Sequence, residues 1–498
     1  MPNTSLYQPE RTSYVGFVLP LLSKAQKTMF KRSSRMFIMH KRRCLYPLPR
    51  NTAPSEEQNV VSPTKIQQSH GSDAVSVYFL DEDIFKRGQM IIPAADLLIP
   101  ADVSSLVGDS ASVQATAAEY FETVHLWWSI LSKHSFYSHL LNPLVPRRGD
   151  VVLLLLCMKL IVWRPSADNP DPRTALYFTA KRFHTELESQ GAFSIRALQA
   201  VILIALYEFG HGIYPSVLSS IATCARYGRA LDIDLSPKRR PSHLLSYFEL
   251  EERRRAWWSI LILDRFANIT CPGPRFETRD PETDDLLPVD GLVWDSGLVS
   301  PADEMTIANP VTEKLGRFAK FAQATHLLCR VLQIMSDAST DDDFREEQKL
   351  QLEKAILATI RMVSGPVTGP KGAHAMICFS SLFLLYGDIL NTQPSTPLEL
   401  SRYEHARDVL EQGANTCAET SFHFQQGSGL PAEKVAALVV HWQYRAAAFY
   451  LHMRTVRAND EDLFHLTTLK TGLCELEKRW KVAGTYLRML EARELMQI

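Results

Sequence analysis

The sequence predicts an all-α fold, in which a large helical domain is preceded by a basic, mostly disordered N-terminal segment. From about residue 118 onward, apolar residues recur at helical spacing in one segment after another. Few stretches alternate between apolar and polar residues, and none is bounded by turn residues as a hairpin would be. Strands are therefore not expected as major elements.

Composition and charge divide the chain into unlike parts. Its 498 residues are 46% hydrophobic, which is enough to bury a large core. Residues 1–50 carry ten Lys or Arg against one acidic residue, whereas the remainder carries 44 basic and 54 acidic residues. A basic head on an acidic body is typical of a nucleic-acid arm, although a transit peptide or a spurious start of the gene model gives the same pattern.

Cysteine spacing and hydropathy indicate the compartment. The eight cysteines are widely spaced and form no Cys-x-x-Cys pair, as in a reducing cytosol or nucleus. The apolar run Val151–Met158 is far shorter than the roughly 20 residues that cross a bilayer. We therefore expect a soluble protein that neither spans a membrane nor is secreted.

Three segments follow in order along the chain. Residues 1–50 form the basic segment, residues 51–117 have the Pro, Ser, Asp and Gln content of a largely disordered linker, and residues 118–498 are helical. Pro143 and Pro146 end an early helix, and Ser194 is a predicted N-cap. Helices are expected at about 118–131, 132–141, 148–163, 176–190, 194–209, 214–231, from 245 to before Pro272, 310–335, 346–363, 373–389, 401–416, 432–457 and 460–496.

The stretch from Glu251 to Gly297 is the most informative. It begins with a helix pattern and stops at Pro272, Gly273 and Pro274, which cannot continue a helix. An Asp-rich loop then ends in Leu286-Leu287-Pro288, which should fix the loop against an apolar surface.

Charged residues crowd this stretch, and a structural clamp explains them better than catalysis. Arg253, Arg254 and Arg255 point in three directions because successive helical residues step by about 100°. A buried guanidinium needs a carboxylate or several carbonyls. The nearest carboxylates that we expect to pair with these arginines are Asp264, Asp284 and Asp285.

The same stretch resembles the middle homology region of fungal transcription factors of the binuclear zinc cluster class. Two upstream segments, Tyr120–His125 with Phe136-Tyr137 and Cys224–Leu231, are similar to other parts of that region. The resemblance is best over 118–300 and implies a helical regulatory domain from 118 to 498. The matching pieces of the central stretch are Glu251–Trp258, Leu263–Arg265, Gly273-Pro274, Asp284–Pro288, and Trp294 with Gly297.

The resemblance also implies an N-terminal zinc cluster, from which this sequence departs. Such a cluster uses six cysteines to hold two zinc ions, but Cys44 is the only cysteine before Cys157. Lys41 to Pro47 resembles the tail of a cluster, so our hypothesis is that Cys44 is its stranded last ligand. Unrelated sequence, Met1 to about His40, would then replace the rest, either through a gene-model error or naturally. The chain as written is not expected to bind zinc, although the complete family member would.

Two basic clusters are candidates for contact with DNA. In the resembling family the edge of the zinc domain touches the DNA backbone, which makes Lys41, Arg42 and Arg43 the better candidates. Lys238-Arg239-Arg240 lies between prolines and is explained more simply as an exposed loop.

An enzyme is the main alternative from another class. Asp341 to Glu346 matches a loose Asp-Asp-x-x-Glu pattern, which in all-helical terpene cyclases would hold magnesium. An acidic first turn at the start of a helix explains this sequence pattern more simply than a magnesium site does. A cluster-less protein that modulates another factor is the third reading.

The sequence therefore predicts a nuclear regulator of RNA polymerase II transcription rather than an enzyme. Its expected partners are DNA, through a complete zinc cluster, and transcriptional cofactors. Homodimerisation stays open, because no heptad run after Cys44 is long enough to predict a coiled coil.

Overall fold

The computed structural model describes residues 71–88, 90, 98–141, 147–166, 168–234, 245–269, 275–310, 312, 315–337, 342–362, 372–426, 431–457 and 459–496. All of these belong to the unit Pro63–Ile498. Over these ranges helices dominate and two two-residue strands form the one small sheet, so the all-α prediction is confirmed. The predicted basic segment, with Lys41, Arg42, Arg43 and Cys44, lies outside the described residues.

The described ranges contain eighteen α-helices. They are α1 Gly71–Leu80, α2 Glu82–Arg87, α3 Ala101–Val107, α4 Ser110–Glu122, α5 Lys133–Ser135, α6 Gly149–Val162, α7 Ala175–Ser189, α8 Ile195–His211, α9 Ser216–Ala230, α10 Tyr247–Ala267, α11 Gly291–Ser296, α12 Arg317–Ser336, α13 Asp342–Arg361, α14 Ala373–Tyr386, α15 Pro397–Gln425, α16 Val439–Val456, α17 Asp460–Glu477 and α18 Val482–Met496. Strands β1 (Leu286–Leu287) and β2 (Met305–Thr306) pair antiparallel, with Leu286 opposite Thr306.

The core is built around helices that are apolar on nearly every side. Helix α6 is buried around almost its whole circumference and packs on α8, α4 and α7, as expected of an all-round apolar helix. Helix α12 packs on α14, and α16 packs on α15 and α17. The fully buried Arg479 donates to the carbonyls of Ile161 (2.5 Å) and Trp163 (3.1 Å), and so caps the C-terminus of α6.

Side-chain caps start several helices where the sequence places them. The Ser194 hydroxyl accepts from the backbone N–H of Ala197, which confirms the predicted N-cap of α8. Ser246 and Glu249 form a reciprocal capping box at the start of α10.

The helix expected at 118–131 ends earlier, because both tryptophans after it enter the core. Helix α4 stops at Glu122, and a 3₁₀ turn, Val124–Leu126, follows. Trp127 and Trp128 are 3% and 0% exposed. Neighbouring residues on one straight helix point about 100° apart, so a break in the helix is what allows both rings to be buried.

Part of the predicted linker at 51–117 is instead built into the fold. Val103 and Val107 of α3, with Val113 and Ala117 of α4, are buried in the core. Lys159 of α6 donates to the carbonyl of Leu106 (2.6 Å). Helix α3 has seven residues and two buried apolar side chains, so its periodic pattern is too short to stand out in the sequence.

The single helix expected at 460–496 is divided into α17 and α18. The break contains Trp480, which is fully buried and donates through its indole N–H to the carbonyl of Val435 (3.0 Å). This long-range contact fixes the point at which the chain changes direction.

Candidate functional site

Helix α10 and the loop that follows it contain the residues on which the resemblance depends. From Ala256 to Ala267 every residue of α10 is buried, including the charged Asp264 and Arg265. The indole N–H of Trp258 donates to the carbonyl of Leu286 (2.9 Å) and attaches β1 to the helix. The site is thus a buried helix with a loop laid along it.

The first buried ion cluster lies near the start of α10 and centres on Glu251. One oxygen of its carboxylate accepts from Arg255 Nε (2.7 Å) and from the backbone N–H of Val289 (2.9 Å). The other accepts from Arg254 (2.9 Å), whose second nitrogen reaches Glu304 (2.7 Å). Glu251 and Arg255 are both fully buried. The carboxylate therefore joins two arginines to the loop backbone.

Arg255 uses its remaining donors to hold two distant segments. It donates to the carbonyl (2.9 Å) and hydroxyl (2.7 Å) of Ser129 and to the carbonyl of Val289 (2.7 Å). Its guanidinium also lies 4.9 Å from the ring centre of Trp294. Burial lowers the pKa of Arg255, and Glu251 opposes that shift. An arginine still remains charged at neutral pH, so Arg255 brings a buried positive charge against Glu251.

A second buried ion cluster lies at the end of α10 and centres on Asp264 and Arg265. One Asp264 oxygen accepts from Arg265 (2.7 Å) and from the backbone N–H (2.9 Å) and hydroxyl (2.7 Å) of Thr278. Arg265 also donates to the Thr278 carbonyl (3.0 Å) and to Asp280 (2.9 Å). The guanidinium lies 4.2 Å from the ring centre of Phe276. This cluster ties the loop to the C-terminal end of the helix.

The remaining predicted clamp residues have separate roles. Arg253 is half-buried and donates to the carbonyl of Leu231 (2.8 Å). Asp285 is buried and accepts from Arg279 (2.9 Å) and from the backbone N–H of Glu282 (2.8 Å). Burial raises the pKa of Asp285, and Arg279 opposes that shift. Asp284 is exposed.

The observed pairing therefore differs from the expected one. The arginines of the triplet do not pair with Asp264, Asp284 or Asp285; two of them pair with Glu251. Glu251 precedes Arg254 by three residues and Arg255 by four, which are the helical spacings at which side chains meet. That spacing was visible in the sequence and could have identified Glu251. Arg265, Thr278 and Asp280 were also missed, because their meeting depends on the path of the loop.

The far end of the stretch is tied to the segment after α4. Asp295 accepts from His125 (3.1 Å) and from the backbone N–H of Lys133 (3.3 Å). The Ser132 hydroxyl donates to the carbonyl of Trp294 (3.2 Å). Burial lowers the pKa of His125, and the bond to Asp295 opposes that shift. The central stretch is thus attached at both ends.

The contacts of these ion clusters indicate a structural role. Each buried carboxylate in them is matched by guanidinium, hydroxyl or backbone N–H donors at 2.7–2.9 Å. Groups that are paired in this way inside the core do not provide a free acid, base or nucleophile.

The candidate metal ligands do not form a cluster in the part of the chain that the structure covers. Within the described ranges, no group of three or more His, Cys, Asp or Glu side chains could hold a metal ion. Helix α13 begins at Asp342, which places Asp343 in its first turn. Asp343 and Glu346 lie near Arg402, at 3.7 and 4.0 Å, and Glu346 also pairs with Lys349 at 2.9 Å.

Among the residues that the structure describes, one helical stretch is apolar enough by length and composition to cross a membrane. It runs from His374 to Asn391, and 72% of it is buried inside the domain. Core helices of ordinary globular domains meet the same two criteria, and α14 packs in this way against α12.

Comparison with known proteins identifies the domain. Residues 117–363 match the model of the fungal specific transcription factor domain. The chain is 31% identical over 182 residues to the transcription factor BOA15 of Botryotinia fuckeliana (strain B05.10). The aligned residues cover 36% of this chain and 99% of BOA15. It is 26% identical over 212 residues to the pigment biosynthesis transcriptional activator pigB of Monascus ruber, covering 39% of this chain and 36% of pigB.

No solved structure matches the chain significantly. The match to the family model contains all of α10, both buried ion clusters and the loop between them. The chain therefore belongs to the family of fungal transcription regulators that carry the fungal specific transcription factor domain.

Proposed function

We propose that the chain regulates RNA polymerase II transcription in the nucleus, with the helical domain from about residue 118 onward as its regulatory part. The match of the family model to residues 117–363 is the observation that carries the proposal. The similarity to BOA15, a transcription factor, and to pigB, a transcriptional activator, supports it. In this proposal the surface of the helical domain binds transcriptional cofactors.

We also propose that contact with DNA involves the basic segment 1–50 and in particular Lys41, Arg42 and Arg43. Support comes from its charge, ten basic residues against one acidic residue, and from the resemblance of Lys41 to Pro47 to the edge of a zinc cluster. Lysine and arginine contacts to phosphate supply most sequence-independent affinity for DNA. Sequence-specific recognition would require the complete cluster.

The proposed role is not enzymatic. The carboxylates of the cyclase-like pattern that the structure describes, Asp343 and Glu346, lie beside the cation of Arg402. A guanidinium at that position competes with a divalent metal ion for the same oxygens. The buried carboxylates of the α10 clusters, Glu251 and Asp264, accept hydrogen bonds from structural partners, as described above.

Tethering the chain to a promoter tests the regulatory role. The full chain is fused to a heterologous DNA-binding domain, and transcription of a reporter that carries the matching site is measured. We expect transcription to change relative to the DNA-binding domain alone, because the helical domain supplies the regulatory contacts. A well-expressed, folded fusion that leaves reporter transcription unchanged would contradict the proposal.

A further inference from the structure

Helices α1 and α2 form a hairpin that lies, along the chain, between the basic segment and the core of the helical domain. The ring centres of Tyr78 and Phe85 lie 5.0 Å apart, and the Asp81 carboxylate accepts from the backbone N–H of Ile84 (3.0 Å). Over the described ranges, the apolar core and the residues packed against it begin only at Ile99. The hairpin is therefore a local unit outside the core.

Aromatic side chains attach this hairpin to the helical domain. The Tyr78 hydroxyl donates to the carbonyl of Ala230 at the end of α9 (2.7 Å). The ring centre of Phe193, just before α8, lies 5.6 Å from that of Tyr78 and 5.2 Å from that of Phe79. Among the described side chains of the hairpin, only Ala74 is buried. The attachment therefore covers a small apolar area.

The surface that receives the hairpin is held by contacts within the helical domain. The Tyr227 hydroxyl of α9 donates to the carbonyl of Ala192 (3.0 Å) and accepts from the backbone N–H of Ser194 (3.0 Å). The ring centre of Tyr227 also lies 5.0 Å from that of Phe193. None of these contacts involves the hairpin, so the receiving surface should keep its form when the hairpin leaves.

The hairpin gains little stability from docking or from its own helices. Phe79, Leu80 and Ile84 are 54%, 85% and 56% exposed, so they contribute little free energy of burial. Isolated helices shorter than about 12 residues are marginal in water, and α1 and α2 have 10 and 6 residues. Such a unit opens at a lower free energy than the whole domain, and it unfolds when it opens.

We propose that the α1–α2 hairpin is a releasable strap, which undocks from Phe193 and Ala230 and unfolds while the helical domain stays folded. Release lengthens the chain that joins residues 1–50 to the domain, because the first core contact is then at Ile99. In the proposed function residues 1–50 contact DNA, so the strap would set how far from the domain that contact can be made. This consequence rests on the proposed function, whereas the release itself does not.

Hydrogen–deuterium exchange of the full chain, measured by mass spectrometry, tests the release. Peptides from residues 71–88 report the hairpin, and peptides from α8 report the buried core. We expect the hairpin amides to exchange at least about a hundredfold faster than those of α8, because the strap opens without unfolding of the domain. They should still exchange more slowly than in an unfolded peptide of the same sequence, because docking protects them.

Two tyrosine variants separate release of the strap from unfolding of the domain. Tyr78→Phe removes the hydroxyl that reaches Ala230 and should raise the exchange rate of the hairpin about fivefold, as expected for one lost hydrogen bond. The exchange of α8 and the midpoint of thermal unfolding should not change. Tyr247→Phe is the matched control, because Tyr247 is exposed at the start of α10, outside the hairpin. It should leave the exchange of the hairpin unchanged.

Four results would overturn the proposal. The hairpin could exchange as slowly as α8, or as fast as an unfolded peptide; Tyr78→Phe could raise the exchange of α8 by the same factor as that of the hairpin; or the two variants could have equal effects on the hairpin. The exchange test involves neither DNA nor transcription. A silent reporter fusion would therefore count against the proposed function while leaving the strap intact, and the reverse also holds.

Discussion

Arg255 is the side chain through which the central helix holds the rest of its neighbourhood. It is fully buried, pairs with Glu251, and donates to Ser129 and Val289. Arg253, two residues earlier, is half-buried and donates to the backbone carbonyl of Leu231. Two arginines of the same triplet therefore differ in how much stability their loss should cost.

We expect Arg255→Met to lower the free energy of unfolding by about 3 to 5 kcal/mol, because Glu251 would lose a partner inside the core. Arg253→Met should cost no more than about 1.5 kcal/mol, the value of one hydrogen bond. Urea unfolding of the full chain, followed by circular dichroism, measures both. Equal losses in the two variants would show that the buried pair is not the source of stability.

His441 makes the stability of the core depend on pH. It is buried in α16, where its Nδ1 lies 3.0 Å from the Ser380 hydroxyl. Burial, with Arg445 nearby, lowers its pKa to about 3, from an ordinary value of 6.5. The unfolded chain therefore binds a proton below about pH 6.5 that the folded chain does not bind, so acid favours unfolding until the pH approaches 3.

Between about pH 6 and about pH 4.5, this residue alone should remove about 2 kcal/mol from the free energy of unfolding. His441→Gln, which does not titrate, should lack that part of the loss. Urea unfolding at a series of pH values gives the difference between the two proteins. Parallel pH profiles for the wild type and the variant would contradict the assignment.

At the scale of elements, close packing between α8 and the α17–α18 break is set by a glycine. A Cβ built on Gly210 would lie 2.3 Å from Cε3 of Trp480. That ring is held by its bond to Val435 and by the guanidinium of Arg479, 3.8 Å from the ring centre. Because the ring is fixed on two sides, it cannot easily move away from an added methyl group.

We therefore expect Gly210→Ala to destabilise the domain by about 1 to 3 kcal/mol through overpacking, although alanine favours helix by up to about 1 kcal/mol. Gly291→Ala, at the start of α11, is the control, because no heavy atom lies within 4 Å of its added Cβ. Its effect should stay within about 0.5 kcal/mol. Thermal unfolding measures both, and a stabilised Gly210→Ala variant would show that α8 and Trp480 can separate freely.

Some helix ends are set by local sequence and others by long-range packing. The starts of α8 and α10 are encoded locally, by Ser194 and by Ser246 with Glu249, so the sequence could place them. The end of α4 at Glu122 and the break before Val482 depend on where Trp127, Trp128 and Trp480 are buried. Such burial is a long-range property that local periodicity does not contain.

At the scale of the whole molecule, charge separates a basic segment from an acidic remainder. Replacing Lys41, Arg42 and Arg43 by Ala should weaken binding to duplex DNA at low salt. The slope of log K against log salt should also become shallower by about 2.7, because each phosphate contact contributes about 0.9. Replacing Lys238, Arg239 and Arg240 is the matched control and should leave the slope unchanged. Equal changes in the salt slope for the two triple variants would contradict a specific role of Lys41, Arg42 and Arg43 in DNA binding.

The sequence alone determined the fold class, the family and the location of the central helix and its loop. Periodicity, caps and ordered motifs are local properties, so they can be read without knowing which elements meet. The expectation that charged residues around α10 have structural roles also came from local reasoning, because arginine triplets in an apolar helix cannot all reach solvent.

Only the tertiary structure decided which partners those charges take. Arg255 pairs with Glu251 and not with an aspartate of the loop, and Asp264 meets Arg265 through Thr278. Such pairing depends on distances between segments far apart in sequence, and packing of the core sets those distances.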